Sequence, residues 1–146
     1  MEKLAALIIL LCLSLSACGN GEANQKTEVK VDLGSSSLYS EQERKDAVEV
    51  LQKEFSSFKG CVLQSITYGG DEKSKSADRG ADYGEKIKKK QDASGVIYAE
   101  SIVFLLDFRT TQDAEGAWGK NQEYKAMLFW LARPKGGPWE YITSGY

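Results

Sequence analysis

Apolar positions along this chain form an unbroken run near its start, then a helix-spaced stripe, then extended stretches separated by glycine-rich breaks. A capping box precedes the stripe: Ser40 offers a hydroxyl at the N-cap and Glu43 a carboxylate three residues later. Ala47, Val48, Leu51, Phe55 and Phe58 then share one face of a helix, while Glu43, Lys45, Asp46, Glu49, Gln52 and Lys53 fill other positions. This pattern predicts an amphipathic helix over residues 41–57, stopped near Gly60.

Residues 61–68 are β-branched and aromatic and end at Gly69-Gly70, which predicts a strand and a turn. Residues 71–90 are polar; a second helix is expected over 77–89, weakened by Gly80 and Gly84. Residues 101–108 are almost continuously apolar, as in a strand buried on both faces at the centre of a sheet. Two more strands are expected over 124–132 and 139–143, joined by a loop with Pro134, Gly136, Gly137 and Pro138. The expected fold is α+β, with one or two N-terminal helices gathered on one face of a curved antiparallel sheet. Upstream, the alternation of Val29, Val31 and Leu33 suggests a short edge strand.

The apolar run at residues 4–15 has the length of a signal-peptide core. A bilayer-spanning helix needs about twenty residues, so the run is too short for a plain anchor. The positive region before it is slight, since Glu2 offsets Lys3. Directly after it stands Leu15-Ser16-Ala17-Cys18-Gly19, which resembles the bacterial lipobox. The resemblance implies cleavage before Cys18 and attachment of diacylglycerol to its thiol. Residues 1–17 are thus expected to be a lipoprotein signal peptide, 18–37 a flexible polar tether, and 38–146 the folded domain. A tether of this length spans about 25 Å as a random coil. The domain would then be lipid-anchored on the extracytoplasmic face of the cell membrane, with two or more acyl chains holding it stably.

Composition narrows the chemistry. The chain has no histidine, which removes a Ser-His-Asp triad, a Cys-His pair and any histidine metal site. Cys12 leaves with the leader and Cys18 is lipidated on this reading, so Cys61 has no partner for a disulfide or a thiolate zinc site. Cys61 opens an apolar strand, where a free cysteine is ordinarily a small buried hydrophobe rather than a reactive thiol. The net charge of −2 offers no attraction to nucleic acid. No cofactor motif is present, and the stretch 110–116 lacks the ordered carboxylates of a calcium loop.

The C-terminal third, with Met127-Leu-Phe-Trp-Leu-Ala-Arg133, Gly136-Gly-Pro-Trp139 and Gly145-Tyr146, resembles a family of uncharacterised Firmicute lipoproteins with an NTF2-like, cystatin-related α+β cone. The helix from Ser40 and the strand with Leu105-Leu-Asp-Phe108 fit the same pattern, while the lysine-rich stretch at 86–90 and the loop at 92–95 fit it poorly. The resemblance implies a sheet curled round a helix, often with a pocket at the open end. It supplies no activity and no catalytic residues.

Asp107 and Glu100, on or beside the central strand, are the candidate carboxylates for acid–base work. The simpler reading pairs them with Arg109 or Arg133 or turns them to solvent. Trp118, Tyr83, Trp130 and Arg133 are the candidate contacts for a ligand or partner. Trp118, in a glycine-rich loop, is expected to be the most exposed, whereas Trp130 and Trp139 read as core. The lysines at 86–90 read as a solvated helix end set against the helix dipole. The favoured expectation is a non-catalytic domain that binds a small ligand or an envelope partner. The alternative is a small envelope hydrolase or isomerase using Asp107 or Glu100 with a tyrosine. A third is a lipoprotein whose work is mainly steric.

Overall fold

The computed structural model describes residues 28–76 and 82–146. The expected leader, Cys18 and the tether as far as residue 27 lie outside the described residues. Within them the order is β1 (Lys30–Asp32), α1 (Glu41–Phe55), β2 (Cys61–Tyr68), α2 (Asp71–Lys75), α3 (Tyr83–Ser94), β3 (Glu100–Thr110), β4 (Glu123–Arg133) and β5 (Glu140–Gly145). This is an α+β domain.

The capping box starts α1: the Glu43 amide donates to the Ser40 hydroxyl at 3.2 Å, and the Ser40 amide donates to the Glu43 carboxylate at 2.8 Å. Ala47, Val48, Leu51 and Phe55 are buried, and so is Arg44, one turn earlier on the same stripe. Gly60 then turns the chain into β2. Its φ of +69° and a would-be Cβ only 2.3 Å from the Ala114 backbone nitrogen leave room for glycine alone.

The strands lie side by side in chain order, and β2 to β5 form an antiparallel meander. β1 joins β2 in parallel, with Val31 opposite Ile66. A parallel pair needs a long crossover, which α1 supplies. The sheet is therefore mixed, which corrects the wholly antiparallel expectation. β1 is the edge strand that the alternation of Val29, Val31 and Leu33 suggests, and Val29 and Leu33 pack on the core. Further along, Asp71 accepts hydrogen bonds from the Ser36 hydroxyl (2.5 Å), the Ser37 amide (2.8 Å), the Ser37 hydroxyl (2.7 Å) and the Tyr68 hydroxyl (2.7 Å). These bonds hold the Asp71 carboxyl below the usual carboxylate range. The expected tether at 28–37 is thus tied to the domain rather than free.

The helices do not share one face. On β3, Ile102, Phe104, Leu106 and Phe108 join α1 in the larger core, while Val103 between them joins Tyr83 in a second cluster. β4 alternates in the same way, with Met127, Phe129 and Leu131 toward α1 and Trp130 and Ala132 toward the second cluster. Successive strand residues point to opposite faces, so α1 and α3 cover opposite sides of the sheet. This corrects the expectation of helices gathered on one face. It also explains the nearly continuous apolar run of β3, whose Ile102, Val103 and Phe104 are all fully buried.

The second helix also differs from expectation. The described part of the expected 77–89 helix belongs to α3, which runs through Gly84 and the lysines to end at Gly95 in the left-handed conformation, and α2 is a separate short helix before it. Gly80 falls outside the described residues.

Candidate functional site

At the N-terminal end of α1, Arg133 is nearly buried between two carboxylates. Its Nε donates to Glu100 at 2.5 Å, and its Nη2 donates to Glu43. The guanidinium lies 4.1 Å from the centre of the Trp139 ring and 5.6 Å from that of Tyr39. Trp139 Nε1 donates to the Glu43 carbonyl at 3.0 Å. Bonds from Arg133 and from Ser40 pull the Glu43 carboxyl down to about 2. Burial works against the Arg133 charge, but the two glutamates outweigh it and raise its pKa. Burial, then the nearby Glu100 charge, pushes the Tyr39 hydroxyl up to about 12. Glu100 is thus engaged as an ion-pair partner, and Arg133 is a tie between α1, β3 and β4 rather than a free ligand contact.

Asp107 does not pair with Arg109 or Arg133. Leu106 faces Met127 and Phe108 faces Tyr124, so two β4 residues, Lys125 and Ala126, bulge opposite the single Asp107. Ala126 takes a φ of +51°, and its amide donates to the Asp107 carboxylate at 2.8 Å. Lys125 lies 3.7 Å from the other carboxylate oxygen. Asp107 satisfies the bulge, and a tyrosine–carboxylate pair for catalysis is not assembled around it among the described residues.

The four residues expected to meet a ligand do not converge. Tyr83 and Trp130 are buried against each other at 5.7 Å on the α3 face. Trp118 is half-buried rather than free: its ring lies 5.1 Å from Phe108, 5.3 Å from Tyr124 and 6.0 Å from Phe58, closing the core near the end of α1. Arg133 lies at the other end of that helix. Cys61 is half-buried at the core margin, and burial raises its thiol pKa, which opposes thiolate reactivity. The lysines are not a helix end. Lys86 pairs with Asp82 at 2.7 Å and donates to Thr143 at 2.9 Å, and Lys90 pairs with Glu140 at 3.1 Å, so they stitch α3 to β5. The last turn of α3 carries no basic residue.

What the fold does create is a trough between α1 and β5. One section, about 390 Å³, lies over Trp139 and is lined by Asp46, Glu49, Val50, Lys53, Arg133, Gly137 and Pro138. It shares Val50, Lys53 and Trp139 with a larger section of about 740 Å³, which runs past Glu54 and Ser57 to Lys90, Glu140, Tyr141 and Ile142. Val50 and Lys53 went unnoticed as site residues because α1 reads as a helix with one apolar face. The available signal is Val50, an apolar residue next to Leu51 that widens the stripe toward the polar side.

No described helix is long and apolar enough to cross a membrane. Comparison of the chain with protein-family models, with curated proteins and with solved structures finds no match.

Proposed function

We propose that this chain is an exported lipoprotein, anchored through Cys18, whose domain is a non-catalytic binding module that engages an envelope partner or ligand in the trough between α1 and β5. The observation that carries the binding reading is the contrast between occupied and open groups. Asp107 and Glu100 are each held in structural bonds, while a broad open concavity is lined by Val50, Trp139 and Tyr141 with charged residues at its rim. Leader and anchor rest on the run at 4–15 and on Ser16-Ala17-Cys18. Kinship with the Firmicute lipoproteins and their NTF2-like cone belongs to the same proposal; the second helical layer at α3 is where this chain parts from a simple cone.

Two experiments test it. Cys18→Ala is expected to move the protein out of the membrane fraction, and unchanged membrane retention would remove the lipid anchor from the reading. A photo-reactive residue at position 50, introduced in intact cells, is expected to give a discrete adduct that the same residue at exposed Lys45 does not. A cellular function lost in Asp107→Asn, with no adduct from position 50, would put the work at Asp107 instead.

A further inference from the structure

The partner that the trough fits has a definable chemistry, an inference that rests on the binding-module reading above. The two edges of the sheet differ. β1 is three residues long, carries Lys30 and Asp32, and runs into the clasp at Asp71; a short, charged edge of this kind resists pairing. β5 is six residues long and last in the strand order, so among the described residues its outer edge has no strand beside it. Glu140, Tyr141 and Ile142 of that strand line the trough together with α1 residues and Lys90 of α3. A bulge leaves Ile142 without a partner on β4, which divides the edge into Glu140 and Tyr141 before it and residues 143–145 after it. The bulge limits how far a neighbouring strand can pair but leaves both pieces open to one.

The rim supplies the charge preference. Lys90 and Glu140 neutralise each other, whereas Asp46, Glu49, Lys53 and Glu54 have no ion-pair partner among the described residues. Arg133 is offset by Glu43 and Glu100, so the remaining rim residues carry two more negative charges than positive. A second copy docking edge to edge would set this patch against itself, because a two-fold interface repeats the same surface on both sides. Like charges then oppose the contact, and a partner of opposite sign is favoured. We infer that the trough receives an extended, basic segment of another polypeptide, which adds to the free edge of β5 with lysine or arginine side chains toward Glu49 and Glu54.

The test uses the full chain in detergent and two labelled ten-residue peptides, one alternating valine with lysine and one alternating valine with glutamate, read by fluorescence anisotropy. The lysine peptide is expected to bind at least about tenfold more tightly. It should slow amide exchange at residues 140–145, and N-methylation of its alternate amides should weaken it by about tenfold or more. The double variant Glu49→Lys/Glu54→Lys changes exposed or half-exposed side chains only and is expected to reverse the preference. Equal binding of both peptides, protection elsewhere than β5, full retention by the N-methylated peptide, or no binding at all would each overturn the inference. In any of those cases, an adduct from position 50 in cells leaves the binding module standing with a different partner. Absence of that adduct as well removes both readings.

Discussion

On the α1 face of the sheet, Phe108 packs edge to face on Phe55 and Phe129, which are tilted against each other, with centroid distances from 5.2 to 6.3 Å, and Phe104, Leu106 and Leu131 beside them are fully buried. On the α3 face the buried cluster is small, built round Tyr83, Val103, Trp130, Ala132 and Ile142. There the helix and the segment after it are also fastened by polar links: Lys86 to Asp82 and Thr143, Lys90 to Glu140, and the Tyr98 hydroxyl to Glu140 at 2.8 Å. One layer is held by dry aromatic packing and the other largely by bonds that water can replace. The lesson concerns where the domain can afford to move. Stability scales with apolar area removed from water, so α1 and the strands beneath it form the rigid part. A helix fastened by half-exposed ion pairs opens at far smaller cost. The trough lies along β5, between these two layers, where a firm wall faces a loose one.

Phe108→Ala breaks the firm side most severely. It empties a site touched by Phe55, Trp118, Tyr124 and Phe129, and the expected loss is about 3–5 kcal/mol in denaturant unfolding. Arg133→Met is expected to cost less, about 1.5–3 kcal/mol, because it takes the charged hydrogen bonds from Glu43 and Glu100, which keep partial contact with water. Combining it with Glu43→Gln and Glu100→Gln should recover most of that loss. A combined variant as unstable as Arg133→Met alone would show that packing against Trp139 and Tyr39, not charge, is what Arg133 provides.

A smaller effect is expected in acid. Glu43 titrates at about 2 in the folded chain against an ordinary 4.5. A depressed folded value means that its bonds stabilise the fold above the unfolded pKa and are lost as pH falls through the folded one. Thermal unfolding should therefore shift downward between about pH 4.5 and 2, with a shallower slope in Glu43→Gln. Some slope remains in that variant, since Asp71 is also held below its usual range. An unchanged slope would locate the acid sensitivity away from the cap of α1.

The smallest effect belongs to the loose side. Lys90→Ala removes one half-exposed pair and is expected to cost about 0–1 kcal/mol overall. Amide exchange should separate the layers, with faster exchange in α3 and none of that change in α1. Equal acceleration in both helices would show that the two faces open together and that the contrast between them is not dynamic.

Much of this was legible in the chain itself. The capping box and the stripe from Ala47 to Phe55 placed α1, and the β-branched and aromatic runs placed β2, β3, β4 and β5 to within a few residues, because amphipathic spacing is a local property. The burial of β3 on both faces was legible too. The site residues were not. The pairing of Glu100 with Arg133 was among the readings the sequence allowed, but Glu43, far from Arg133 in sequence, closes on it only in the fold. Asp107 reads as a possible base until the bulge at Ala126 presents an amide to it.

By its sequence alone the chain determined the first helix and the strands of the meander, the absence of histidine chemistry, and the pattern at Cys18 from which export and anchoring are proposed. Only the tertiary structure decided that β1 pairs in parallel, that α1 and α3 take opposite faces, and that a trough opens beside β5. The reason is physical. Periodicity tells each element which of its sides must leave water, but the identity of the partner that covers it, and the edge left without one, depend on contacts between residues distant in the chain.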